Sequence, residues 1–169
     1  LKLSPRDADS PEWKTLSDEE KDMWDLRMSV YAAMIDRMDQ NIGRILEKLE
    51  KMGELDNTVV LFLSDNGGCH EVLTTQRKVT GFYGKTGDPD SFDSYEIPWA
   101  NVSNTPFRMF KHWVHEGGIS TPFIAWYPGT IPDGRIITGP CHITDIMPTL
   151  LDITGSSYPL EYKGNSILP

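Results

Sequence analysis

An aspartate and an asparagine stand side by side at positions 65 and 66. They follow five apolar residues and a serine and precede two glycines, in the stretch VVLFLSDNGG (residues 59–68). Asp65 offers an anionic carboxylate and Asn66 a neutral amide oxygen. Both are hard donors of the kind that calcium or magnesium takes. Calcium gathers about 6–8 oxygens, so this pair makes only part of a site. The remaining ligands must come from elsewhere in the chain, from water or from another segment. The competing role is an Asx-type turn that folds the chain over the glycines. Spacing alone leaves both open.

A second group lies in NTPFRMFKHWVHEGG, residues 104–118. Arg108, Lys111, His112 and His115 would share one face if this stretch were helical. In a chain of net charge −9 such a basic cluster suits an oxyanion, sulfate or phosphate. The alternative is a solvated charged face, with His112 and His115 partly buried and hydrogen-bonded. No nucleophile stands out. Neither Cys69 nor Cys141 has an activating motif, and no serine occupies a G-x-S-x-G elbow. The H-x-x-H at 112–115 lacks the spacing and glutamate of a zinc protease.

The elements that must position these groups can be read from pattern. Asn-Gly suggests a hairpin turn, but Val59 to Leu63 do not alternate, and CHEVLTTQRK makes a poor return strand. A continuous apolar run instead predicts a central strand covered on both faces, in a mostly parallel α/β sheet. Asp65 and Asn66 would then sit past its carboxyl end, where open α/β sheets place ligands. Upstream, residues 1–16 read as an extended arm. Ser17 and Glu20 form a capping box. Tyr31, Met34, Ile35, Met38, Ile42, Ile45, Leu46, Leu49 and Met52 make one helical apolar stripe, stopped at Gly53.

Residues 74–106 give no regular pattern. They form either a functional loop or a surface excursion. The aromatic residues between 82 and 99 are a candidate wall of a substrate pocket on composition. Asn101-Val-Ser103 has the form of a glycosylation sequon. Residues 121–127 (TPFIAWY) predict a second buried strand closed by Pro128-Gly129. Residues 143–153 show helical spacing interrupted by Pro148, with Asp145 as cap and Gly155 as stop.

The chain has 169 residues, 38% of them hydrophobic, enough for one domain with a core. The acidic balance disfavours nonspecific nucleic-acid binding. The two cysteines fit neither a zinc motif nor a disulfide framework. No apolar run approaches the ~20 residues of a membrane span, and no signal peptide is visible. The first residue is not Met, so the chain reads as a processed or truncated piece. The order helix, strand, long loop, strand, helix is α/β, with too few strands for a complete doubly wound sheet. Composition and spacing thus reach half a cation site, half an anion site and no nucleophile.

Three ordered blocks carry a resemblance beyond that. YAAMIDRMDQNIGRILEKLEKMGELDNTVVLFLSDNGG, NTPFRMFKHWVHEGGISTPFIAWYPG and HITDIMPTLLDITG together resemble the arylsulfatase family of the alkaline-phosphatase-like superfamily. The resemblance implies a partial α/β/α sandwich with a mostly parallel central sheet. It implies that residues 1–169 are the second half of a sulfatase catalytic domain. Asp65 and Asn66 match the family's late pair of calcium ligands, with magnesium the second choice. Lys111 matches the lysine that contacts the substrate's sulfate. Arg108, His112 and His115 match no catalytic position, and His70 stands near the metal pair where relatives often have a small residue.

The resemblance also implies a formylglycine nucleophile made from Cys or Ser in C/S-x-P-x-R. Cys69 is followed by HEVL and Cys141 by HITD, so neither fits. The expected function is therefore a sulfuric ester hydrolase whose present chain is inactive alone. Its substrate would be a sulfate ester, its compartment periplasmic or extracellular. The alternatives are a phosphate or phosphonate ester hydrolase of the same superfamily, and a non-catalytic binding or structural module. With the first-half strands absent, exposed edges and apolar surface predict self-association.

Overall fold

The long helix α1 (Asp18–Met52) starts where local chemistry says it should. In this computed structural model, which describes residues 2–72 and 84–167, Glu20 N donates to Ser17 Oγ at 3.2 Å and Ser17 N to Glu20 Oε2 at 2.8 Å. Asp18, Glu19 and Glu20 place negative charge at the positive end of the helix dipole. At the other end Gly53 adopts φ 72°, and Glu54 N reaches back to Leu49 O at 3.0 Å, a Schellman closure.

The chain divides into two compact units, Leu1–Pro132 and Asp133–Pro169. In the first, the N-terminal half of α1 is tied to residues 93–99. Trp99 Nε1 donates to Trp24 O at 2.9 Å. Tyr31 packs on Tyr95 with ring centroids 4.9 Å apart, and Arg27 pairs with Asp93 at 3.1 Å and Glu96 at 2.8 Å. Much of the rest of the apolar stripe is open among the described residues: Met34 is 66% exposed and Ile45 61%, while Ile42, Leu46 and Leu49 are half-buried.

Strand β1 (Val60–Leu63) pairs with β2 (Phe123–Trp126), Val60 opposite Trp126 and Leu63 opposite Phe123. The ladder is antiparallel. That corrects the expectation of a mostly parallel sheet within these residues: among them the first unit has only this pair. Nor are the two strands buried among the described residues, contrary to the expectation for both: Phe62 and Phe123 are 41% exposed and Ile124 57%. An apolar run states what the faces favour; it sets neither what covers them nor the direction of the neighbour. Nor is DNGG a hairpin turn, because the partner strand begins only at Phe123.

Between the two strands lies a helix the sequence pattern missed, α2 (Glu96–Ser103). Pro98 sits in its first turn, where a missing N–H matters least. The sequon asparagine Asn101 is half-buried on α2 rather than on a loop. A single helical turn, α3 (Glu116–Ile119), precedes β2. Residues 73–83, including Phe82 and Tyr83 of the proposed aromatic wall, lie outside the described residues. Ala100 and Phe110 are the buried apolar side chains among those described.

The second unit is built around α4 (Ile146–Thr154), entered through a short 3₁₀ turn at Ile143–Asp145. His142 N donates to Asp145 Oδ2 at 2.8 Å. Pro148 falls in the first turn of α4 and does not interrupt it. Gly155, φ 64°, ends the helix as its type suggests. A two-residue ladder follows, β3 (Glu161–Tyr162) against β4 (Asn165–Ser166).

Candidate functional site

The loop leaving β1 is locked backbone to backbone onto the segment that leads to β2. Thr121 Oγ1 donates to Ser64 O at 2.8 Å. Gly67 N donates to Gly118 O, and Lys111 N to Gly68 O, each at 3.0 Å. Gly68 N donates to Asn104 Oδ1 at 3.0 Å, while Asn104 Nδ2 donates to Ala100 O at 2.6 Å. Gly67, Gly117 and Gly118 are buried. A Cβ at Gly67 would overlap the Gly117 carbonyl, and one at Gly117 would run into the carbonyls of Met109 and Arg108. The glycines of DNGG and EGG are therefore there for approach: two main chains pass where no side chain fits.

This interlock sets the candidate ligands. Asp65 is exposed and Asn66 half-buried. Asn66 Nδ2 donates to Gly67 O at 2.8 Å, so the amide oxygen is the group's remaining acceptor. Because the amide nitrogen is the donor, this bond is not the Asx turn of the competing role, in which the side-chain oxygen accepts a backbone N–H. One carboxylate and one amide oxygen suit a hard cation such as calcium. They are only part of a shell. Among the described residues, no cluster of three or more His, Cys, Asp or Glu is arranged to hold a metal.

Lys111 reaches the same loop twice. Its backbone N–H is held by Gly68, and its ammonium lies 3.3 Å from Glu71 Oε2. Cys69 Sγ points at the same carboxylate oxygen, 3.6 Å away. Met109 and His112, which bracket Phe110 and Lys111, have φ of 66° and 93°. Left-handed backbone at two non-glycine residues is uncommon and is typical of sites where geometry matters more than ease. It also rules out the helix on which one basic face depended. Arg108 turns instead to His115, Nη1 to Nε2 at 2.9 Å, and His112 is exposed with its ring edge toward Trp113 at 5.7 Å.

His70 stacks on Phe110 with ring centroids 4.5 Å apart. Its Nδ1 is buried without a hydrogen-bond partner among the described residues. Burial pushes its pKa below the ordinary value; Glu71 opposes that shift, and His112 adds to it. Tyr95 places its hydroxyl against Gly68, where a Cβ would stand, its phenol pushed up by burial and partly restored by hydrogen bonds to Ser103 and the Cys69 backbone.

Lys111 and the DNGG loop are thus brought together, whereas Arg108 meets His115 and no helix sets the four basic residues on one face. Sequence reading missed Glu71 and Asn104. Neither stands in a motif or a periodic pattern that marks it. Both cysteines are free thiols.

With this geometry in hand, comparison with known proteins is specific. The family model described as Sulfatase matches residues 6–156. The chain is 38% identical over 166 residues to an uncharacterised sulfatase of Schizosaccharomyces pombe, covering 92% of this chain and 30% of the relative. It is 36% identical over 166 residues to an arylsulfatase of Klebsiella aerogenes, covering 94% of this chain and 36% of that protein. To a human N-acetylgalactosamine-6-sulfatase it is 29% identical over 141 residues, covering 82% and 22%. The chain belongs to the sulfatase family. It spans about a third of the length of the first two of these relatives.

Proposed function

We propose that this chain is the second half of the catalytic domain of a sulfuric ester hydrolase, contributing part of a calcium site through Asp65 and Asn66 and a sulfate contact through Lys111. The observation that carries the reading is the hydrogen bond from Lys111 N to Gly68 O at 3.0 Å. It ties the cationic residue to the loop that bears the oxygen pair, so a cation and a sulfo group can be held side by side. The β1–β2 ladder would then belong to an α/β/α sandwich whose mostly parallel central sheet is completed by strands outside this chain.

In that role Asp65 supplies a charged oxygen and Asn66 a neutral one. Calcium, when bound, would supply Lewis-acid polarisation and a template for the sulfo oxygens. Lys111 donates to a sulfo oxygen and offsets charge that develops there. The backbone interlock fixes the main chain that carries both groups before substrate arrives, which limits the reorganisation needed at the moment of reaction. The nucleophile is a formylglycine supplied by a C/S-x-P-x-R motif that these 169 residues do not contain. The chain alone is accordingly expected to leave p-nitrophenyl sulfate intact. The sulfate ester substrate belongs to the complete protein. A phosphate or phosphonate ester hydrolase is the second reading within the same superfamily.

A calcium titration followed by amide NMR tests the metal half directly. Shifts should cluster at residues 64–68, be weaker with magnesium, and fall about tenfold or more in affinity in Asp65→Asn, since even outer-shell partners of a metal are worth ~10–100-fold. Calcium shifts centred elsewhere, or untouched by D65N, would remove the assignment.

A further inference from the structure

We infer that Glu71 is a specificity-determining residue of the Lys111 site, weakening the preference that a lysine would otherwise give doubly charged phosphoryl groups over singly charged sulfo groups. The inference rests on the reading of Lys111 as the sulfo contact and adds to it a residue that no motif singles out.

The geometry is direct. Glu71 Oε2 lies 3.3 Å from Lys111 Nζ, and the carboxylate is the less exposed partner, 17% against 39%. Three short links hold it in place: it follows the DNGG loop by three residues, it takes the Cys69 thiol at 3.6 Å, and the lysine it faces is pinned by Gly68. An ammonium has three donors and can serve Glu71 and an incoming anion together. That anion then sits about 5–6 Å from the Glu71 carboxylate, two hydrogen-bond lengths across one nitrogen.

At that separation the charge of the ligand decides. A sulfate monoester carries a single negative charge. A phosphate monoester carries about −1.5 to −2 near neutrality. Each negative charge gains from the ammonium one hydrogen-bond length away and loses part of that gain to Glu71 at about 5–6 Å. The loss counts once for a sulfate monoester and about twice for a phosphate monoester. Glu71 therefore reduces the advantage that a dianion would otherwise have at a lysine. A purely structural ion pair would stabilise the loop without distinguishing ligands by charge.

The test compares phenyl sulfate with phenyl phosphate on the 169-residue chain, by saturation-transfer NMR at pH 8 with EDTA and no added metal. The readout is the ratio of the two dissociation constants. Glu71→Gln keeps size and a hydrogen-bond acceptor but removes the charge, and should shift the ratio about tenfold toward the phosphate ester. Glu71→Asp keeps the charge and should hold the ratio near that of the unsubstituted chain. Lys111→Ala should abolish binding of both esters. If E71Q moves both ligands equally, or leaves both unchanged while K111A removes them, Glu71 is structural and the inference fails while the lysine assignment stands. If neither ester binds, or K111A binds both as before, the lysine assignment itself falls and takes the inference with it.

Discussion

Two regions of the first unit answer the same question in opposite ways. The crossing of residues 64–71 with 104–118 is closed from within: main chain bonds main chain, glycines are buried, and Phe110 is 3% exposed. Helix α1, 35 residues long, is locally well formed and well capped, yet none of its residues is fully buried. Its apolar stripe has the pattern of a core face without the core. The contrast separates two kinds of information. Close backbone approach is fixed by residue types at the crossing itself. Burial of a helix face depends on whatever is laid against it.

The sharpest way to break this comparison is to add one methyl group to each region. Gly67→Ala puts a Cβ into the Gly117 carbonyl, which belongs to a backbone that cannot swing aside. Overpacking against main chain is expected to destabilise the first unit by about 3 kcal/mol or more, or to prevent folding. Urea unfolding followed by tryptophan fluorescence measures it. A midpoint unchanged by G67A would mean that the crossing is looser than its geometry implies.

The next effect is on association. If the stripe of α1 lacks its partner, the isolated chain should cover it with a second copy. Concentration-dependent sedimentation is expected, and Met34→Glu with Ile45→Glu should shift the chain toward monomer without loss of helix content by circular dichroism. Monomer at every concentration would show that an apolar face of this size is tolerated bare.

Much of α1 is legible in the sequence because its signals are local. Ser17 with Glu20, and Gly53 at the end, each act within a few residues of themselves. The same holds for Gly155. What is not legible depends on things far along the chain. The direction of β1's neighbour is set by which strand reaches it, and the run Val59–Leu63 is silent on that. A helical period fits the spacing of the basic residues at 108–115, but the left-handed Met109 and His112 forbid it. Pro98 and Pro148 have the chemistry of breakers but lie in first turns, where it is harmless. Glu71 meets Lys111 only because two loops cross, and no spacing rule encodes that. The Asp65–Asn66–Lys111 set comes from family resemblance; residue chemistry alone leaves it as two separate halves.

A smaller effect runs the other way in α1. Gly43 sits in the helix interior, and a methyl group added there would meet nothing within 4 Å among the described residues. Gly43→Ala should stabilise by about 0.5–1 kcal/mol, through helix propensity alone. The same chemical change thus has opposite sign in the two regions. A loss of stability in G43A would mean that this part of α1 is already packed against a surface, and would weaken the contrast.

The smallest expected effect reads the crossing from inside. His70 lies against Phe110 with Nδ1 buried, and burial holds its pKa below the unfolded value of about 6.5. The folded state therefore binds this proton less readily than the unfolded chain does. Its contribution is unperturbed above about pH 6.5. Stability is lost as pH falls below that value, and the loss levels off once pH drops beneath the lowered folded pKa. His70→Phe keeps a ring on Phe110 and removes the titration. The difference in urea midpoint between the two proteins should be flat above pH 7 and should move in favour of H70F as pH drops toward 5. A difference independent of pH would mean that the imidazole takes its proton in place, with water reaching Nδ1, and that the crossing is open where the geometry has it closed.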